Sequence, residues 1–205
     1  LSRGLGDVYK RQFQNCAANG SAFGSLEHLS SIGTYAFGGC DLGSIFISKD
    51  AEVATNAFNG ATITSVTYNA PTLTKQVFNG ATVNTFTLMD NVTYIGAGNF
   101  TKAGSVSASL RSVQTIEASA FKGATLTTDI SIPAGATVGS NAFENATLKN
   151  VSYNAETASY AVFKGATMNS LTLGDNTTEI AANAFQKSHI GGDALKLGKV
   201  KTIEK

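Results

Sequence analysis

The spacing of its phenylalanines constrains this chain more than any other feature. Phe13, Phe37, Phe58, Phe78, Phe100, Phe121, Phe143, Phe163 and Phe185 follow one another at intervals of 24, 21, 20, 22, 21, 22, 20 and 22 residues. Around four of them the sequence is nearly the same: FNGATITSVTY from Phe58, FNGATVNTFTL from Phe78, FENATLKNVSY from Phe143 and FKGATMNSLTL from Phe163. A fixed period of about 20–50 residues marks stacked repeats, each burying its apolar face only against its neighbours. One unit cannot fold alone. Burying a Phe and a few aliphatics gains about 1.5–3 kcal/mol per side chain, while ordering the backbone costs about 1–2 kcal/mol for every residue.

Counted from each Phe, apolar residues fall five, eight and ten places on. They are Leu42, Ile45 and Ile47 after Phe37; Ile63, Val66 and Tyr68 after Phe58; and Val83, Phe86 and Leu88 after Phe78. Leu148, Val151 and Tyr153, then Met168, Leu171 and Leu173, continue the set. This is the L-x-x-L-x-L spacing of leucine-rich repeats, and its period-two end reads as a short strand. After Phe100 the pattern weakens to Ser105, Ala108 and Leu110, and after Phe121 it slips to Leu126, Ile130 and Ile132, predicting a bulge. The first coil offers Ala18, Ser21 and Phe23, and the last Ile190 and Leu195 with Asp193 between.

Other positions have their own logic. Two places after the Phe stand Gly39, Gly60, Gly80, Gly123 and Gly165, or Asn15 and Asn145, which tolerate a left-handed backbone and predict a turn. Three places after it every residue is small, from Cys16 and Cys40 through Ala61 and Ala166 to Ser188, implying close packing between coils. Before the Phe a second apolar pair recurs (Leu29 and Ile32, Val92 and Ile95, Val113 and Ile116), predicting a second short extended or 3₁₀ segment. Adding 85 maps Ile47 to Ile132, Phe58 to Phe143, Tyr68 to Tyr153 and Ile95 to Ile180, so a block of four repeats is duplicated.

These features predict a mainly β repeat solenoid: a right-handed leucine-rich-repeat superhelix of about nine coils, incomplete terminal ones included. It would carry one continuous parallel sheet, little helix and an unbroken column of Phe rings. A three-faced parallel β-helix is the alternative.

The elements Ser30-Ser31-Ile32-Gly33-Thr34-Tyr35-Ala36-Phe37-Gly38-Gly39-Cys40 and Val92-Thr93-Tyr94-Ile95-Gly96 resemble the BspA-type leucine-rich repeat of microbial surface proteins. That phrase is an Ile-Gly followed by Ala-Phe, a small residue or Cys, and an L-x-x-V-x-L strand; the resemblance covers residues 13 to 205. It implies a non-enzymatic, extracellular adhesin-like module contacting host, matrix or other surface proteins. Departures are the Ala and Thr richness, the scarcity of Pro, and Cys in only two coils.

Residues 1–12 (LSRGLGDVYKRQ) share no pattern with the rest and resemble a translated sequencing-adapter frame. The domain division is therefore a non-native segment 1–12 and one solenoid 13–205, truncated at both ends, whose cut faces predict end-to-end self-association. Charged residues are 14% and the net charge is +1, which argues against a nucleic-acid partner. No apolar run approaches the length of a membrane-spanning helix.

No catalytic constellation emerges, and no cofactor or metal is called for. His28 and His189 lie nearly eight coils apart, and the carboxylates are scattered, about one per coil. Cys16 and Cys40 share a slot in adjacent coils. Two thiols without His fall short of a zinc set; stacked about 5 Å apart they are within disulfide reach, and they equally fill the slot that Ala takes elsewhere. The candidate binding surface is the outward side of the strands, where alternation places Phe46, Ser65, Thr67, Thr85, Thr87, Ser152, Ser170 and Thr172. It is uncharged, rich in hydroxyls and poor in aromatic anchors. A protein-binding module and a purely structural stalk are both compatible with such a face.

Overall fold

In the computed structural model, which describes residues 13–16, 26–192 and 195–205, the repeats stack as a mainly β parallel solenoid of about eight turns. The expectations for residues 1–12, for Ala18, Ser21 and Phe23, and for Asp193 lie outside the described residues, as does part of the ninth coil. The one helical element among the described residues is a 3₁₀ turn, Leu26–His28.

Each coil has a long-strand side, a short-strand side and a turn side carrying the Phe. The long strands are Asp41–Ile47, Thr62–Tyr68, Thr82–Leu88, Ala103–Ala108, Ile130–Ile132, Thr147–Tyr153 and Thr167–Leu173, ending on the two-residue His189–Ile190. Period-two alternation puts Ile63, Val66 and Tyr68, or Leu148, Val151 and Tyr153, inside. The second apolar pair forms two-residue strands: Ser31–Ile32, Glu52–Val53, Thr72–Leu73, Tyr94–Ile95, Thr115–Ile116, Thr137–Val138, Thr157–Ala158, Glu179–Ile180 and Thr202–Ile203.

The expected single continuous sheet is corrected to five among the described residues. The long strands form two four-stranded sheets, 41–108 and 130–190, and across the Phe121 coil the ladder is reduced to the isolated bridges Val106↔Leu126 and Thr125↔Thr147. The cause is the inserted residue that the slipped pattern foretold. Thr128 fills the interrupted ladder with its side chain: its Oγ1 accepts from the Ala108 amide at 2.9 Å and donates to the Ala108 carbonyl at 2.8 Å.

The short strands break into three sheets, and the breaks obey the 85-residue duplication. The residue after each short strand donates its amide to the preceding coil, as Ala54 does to Ile32, Gly96 to Leu73, Glu117 to Ile95, Gly139 to Ile116 and Ala181 to Ala158. At Thr74 and Ser159, 85 apart, a hydroxyl does this instead, donating to the carbonyls of Val53 and Val138. Both lie in the 20-residue coils that end at Phe78 and Phe163. At two of the backbone meetings the approach is close enough to require glycine: a Cβ on Gly96 would sit 2.4 Å from the Lys75 amide nitrogen, and one on Gly139 2.3 Å from that of Ala118.

On the turn side, the anticipated left-handed residues two places after the Phe are present at Asn15, Gly39, Gly60, Gly80, Gly123, Asn145 and Gly165, and Lys187, not anticipated, joins them. A second left-handed row, not foreseen, lies two places before it: Tyr35, Asn56, Gln76, Gly98, Ser119, Asn141, Ala161 and Asn183. Side chains in this conformation cost about 1–2 kcal/mol each. Hydrogen bonds to the next coil hold them there, among them Asn56 N–H to Gln76 O at 2.9 Å and Gln76 N–H to Ala97 O at 2.8 Å.

The Phe rings between these turns stack face to face, with centroids 4.9 Å apart for Phe58 and Phe78 and 4.8 Å for Phe100 and Phe121. The column is not unbroken, however. Between Phe78 and Phe100 the ring of Phe86 intervenes, edge-on to both at 5.0 Å. The Phe100 coil is displaced accordingly. Its strand pairs Val83↔Ala103, Phe86↔Val106 and Leu88↔Ala108, so the inward set is Ala103, Val106 and Ala108. Ser105, expected inside, instead lies beside Thr85 on the outer surface.

Candidate functional site

The outward side of the long strands carries all eight residues singled out by alternation, but as two patches. On the first sheet the register aligns Ser44↔Ser65↔Thr85↔Ser105 in one row and Phe46↔Thr67↔Thr87↔Ser107 in the next. On the second it aligns Ser131↔Ser152↔Thr172, with Asn150↔Ser170 alongside. The Phe121 coil, with its bulge, separates Phe46, Ser65, Thr67, Thr85 and Thr87 from Ser152, Ser170 and Thr172.

Adjacent strands lie about 4.8 Å apart and alternate residues about 6.7 Å apart along a strand, so the hydroxyls form a lattice. Neighbours within it are bonded. Ser65 Oγ donates to Ser44 Oγ at 2.7 Å, Ser170 Oγ to Asn150 Oδ1 at 2.9 Å, and Asn150 Nδ2 to Asp129 Oδ1 at 3.0 Å. At the ends of the strands the same stacking pairs Asn91 with Asn69 at 2.8 Å and Asn176 with Asn154 at 3.1 Å. Thr85, Thr87, Ser152 and Thr172 are exposed; Phe46, Ser65, Thr67 and Ser170 are half-buried. Met89, just beyond its strand, is 40% exposed.

Ser105, Ser107 and Asp129 belong to this surface as well. Ser105 was missed because Ala108 fits either register of its coil. The signal that separates the two is Val106, the only branched aliphatic between Phe100 and Leu110.

The short-strand and turn sides carry charged side chains in hydrogen-bonded pairs. There Glu117 accepts hydrogen bonds from the Tyr94 hydroxyl and, at 3.0 Å, from the Ala97 amide. These bonds, the tyrosine's first, hold its carboxyl below the usual range, while the same contact raises the Tyr94 phenol. Lys122 lies 2.8 Å from Glu144 and lowers that carboxyl. A groove of about 730 Å³ opens where the short-strand ladder is interrupted, lined by Ile32, Lys49, Asp50, Glu52, Pro71 and Thr72 among others.

The histidines stay apart, His28 beside Glu27 at 3.3 Å and His189 on the last long strand. Among the described residues no three His, Cys, Asp or Glu side chains gather to hold a metal. Among them, too, no helix is long and apolar enough to cross a membrane.

No curated protein and no solved structure matches the chain. The BspA type leucine-rich repeat region does match, in six copies, over residues 6–109 and 71–191. Its Ile-Gly and Ala-Phe phrases are the close-approach glycine and the stacked ring described above. With most of its length covered by that repeat, the chain belongs to the BspA-type leucine-rich repeat family.

Proposed function

We propose that this solenoid is a non-enzymatic recognition module of the cell surface or extracellular space, binding a host, matrix or other surface protein through its long-strand face. Family membership supports the class, since repeats of this type suggest surface protein-binding or adhesion. The observation that carries the choice of face is the pair of hydroxyl rows through Thr85 and Thr87. Their spacing repeats from coil to coil, and over Ser65–Ser107 they carry no charge. An extended array of weak hydrogen-bonding groups gains affinity by repetition, so the ligand would lie across several coils.

A stalk is the competing reading, favoured by the scarcity of anchors: Phe46 is the only aromatic ring in these rows. Retention of collagen, laminin or fibronectin by the immobilised chain, at physiological salt, supports recognition. Failure to retain any surface or matrix protein that a longer protein containing this segment does retain would leave the segment as a spacer.

A further inference from the structure

The Cys16–Cys40 pair stands apart from the recognition face and is not used by it. Both residues occupy the small slot three places after the Phe, in adjacent coils held in register by the Phe13 amide on the Ala36 carbonyl, the Asn15 amide on Gly38 and the Asp41 amide on Cys16. The two Sγ atoms are 3.0 Å apart. Elsewhere in the same slot Ala61, Ala81, Ala124 and Ala166 are buried, so a longer side chain is directed into the narrow space between coils.

We propose that these two thiols form an intramolecular disulfide that staples the Phe13 coil to the Phe37 coil. An S–S bond requires the sulfurs to close by roughly 1 Å, to about 2.0 Å, a change within reach of χ1 rotation because the backbones already lie one strand spacing apart.

The oxidant is a small-molecule disulfide of the glutathione class. Cys16, the more accessible of the two, attacks it as thiolate, forms a mixed disulfide and releases one equivalent of small thiol. The Cys40 sulfur then attacks Cys16 Sγ, displacing the second equivalent. Two S–H bonds are lost and one S–S bond is made; the two protons and two electrons leave with the two thiols. The order of attack follows from the surroundings. Cys40 is completely buried and donates to the Phe13 carbonyl at 2.7 Å. Burial first, and then the hydrogen bond with Cys16, pushes its thiol up to about 12, which disfavours Cys40 as the initiating nucleophile; its part in the second step rests on its closeness to Cys16.

The test uses the full chain, reduced and then equilibrated in buffers of graded oxidised to reduced glutathione. After acid quench and unfolding, free thiols are counted by alkylation and mass. Folded protein is expected to pass from two labels to none, with the mass of a chain two hydrogens lighter. It should do so at a glutathione ratio at least about tenfold more reducing than the same chain held in denaturant, because folding pre-pays the approach of the two sulfurs. Cys40→Ser should instead accumulate the mixed disulfide at Cys16. Retention of two labels in the folded chain, a mixed disulfide as its end product, or an identical ratio for folded and unfolded chains would overturn the proposal.

Discussion

Phe86 meets Phe78 edge-on, with centroids 5.0 Å apart and planes at 87°. It meets Phe100 in the same way, at 5.0 Å and 84°. In the second block Leu171 stands where Phe86 does in the first, and there Phe163 and Phe185 stack directly at 5.7 Å and 7°. One ring at the eighth position therefore interrupts the column and shifts the next strand. Phe86→Ala should cost about 3–5 kcal/mol, as should Phe78→Ala, since each empties a fully enclosed aromatic site. Because the two touch, the double variant should depart from additivity by about 0.5–3 kcal/mol. Urea unfolding measures all three, and a loss below 1 kcal/mol for either single variant would show that the ring is not packed as described.

Asn99 is the polar counterpart of that displacement. It is 3% exposed, its Oδ1 accepts from the Phe78 amide at 3.2 Å, and its Nδ2 donates to the carbonyls of Thr74 and Gly96 at 2.9 and 3.0 Å. In the neighbouring coil the Phe58 amide finds a backbone carbonyl, that of Val77, instead. Asn99→Ala would strand two buried partners, the Phe78 amide and the Gly96 carbonyl, and the half-buried Thr74 carbonyl, and should destabilise by about 1–3 kcal/mol for the first group left unsatisfied. Hydrogen exchange at the Phe78 amide should accelerate more than at the Phe143 amide. Equal protection at both would contradict a structural role for Asn99.

The Glu117 carboxyl is held below its ordinary range by Tyr94 and by the Ala97 amide. A depressed folded value contributes stability that is present above the unfolded pKa of about 4.3 and is lost as pH falls through the folded value. Tyr94 is raised, so its share is present below about 10 and is lost as pH rises through its folded value. Glu117→Gln should thus flatten the stability profile below about pH 4.5, lowering stability most at neutral pH and least in acid, where the wild-type carboxyl is already protonated. A wild-type acid limb retained unchanged by the variant would exclude Glu117 as its source.

Thr67 and Thr87 are paired neighbours on the outer surface, and Val66 between the strands' inward residues is 1% exposed. Thr67→Lys with Thr87→Lys should leave the chain folded, with a modest loss from like charges that shrinks as salt is added. Val66→Lys should prevent folding, since a lone charge cannot be buried in that layer. Thermal unfolding at two ionic strengths separates these outcomes; loss of folding in the double threonine variant would mean that inside and outside are reversed.

Much of this was legible because repetition turns a weak local pattern into a strong one. The Phe register, the glycine and asparagine turns after it, the inward aliphatics of the Phe58 and Phe143 coils and the bulge after Phe121 all follow from spacing alone. Two features were hidden for physical reasons. The left-handed row through Tyr35, Gln76 and Ala161 uses residues with no intrinsic taste for that conformation, because bonds to the next coil impose it. The Phe100 register eludes a count of fixed places from Phe100; its sequence signal is Val106, which the structure pairs with Phe86 of the preceding coil. The outer face was read correctly in residue identity but not in continuity, since the bulge that divides it acts through the Thr128 hydroxyl.

Binding compared between faces tests the proposed recognition surface most directly. Equilibrium affinity would be measured against immobilised collagen, laminin and fibronectin for three proteins: wild type, Thr67→Lys with Thr87→Lys, and Thr72→Lys with Thr115→Lys on the short-strand side. For the partner that wild type binds best, the long-strand variant should lose at least about tenfold, or about 1.4 kcal/mol, while the short-strand variant binds as wild type does. Undiminished binding by the long-strand variant, or loss confined to the short-strand variant, would contradict recognition through the hydroxyl rows.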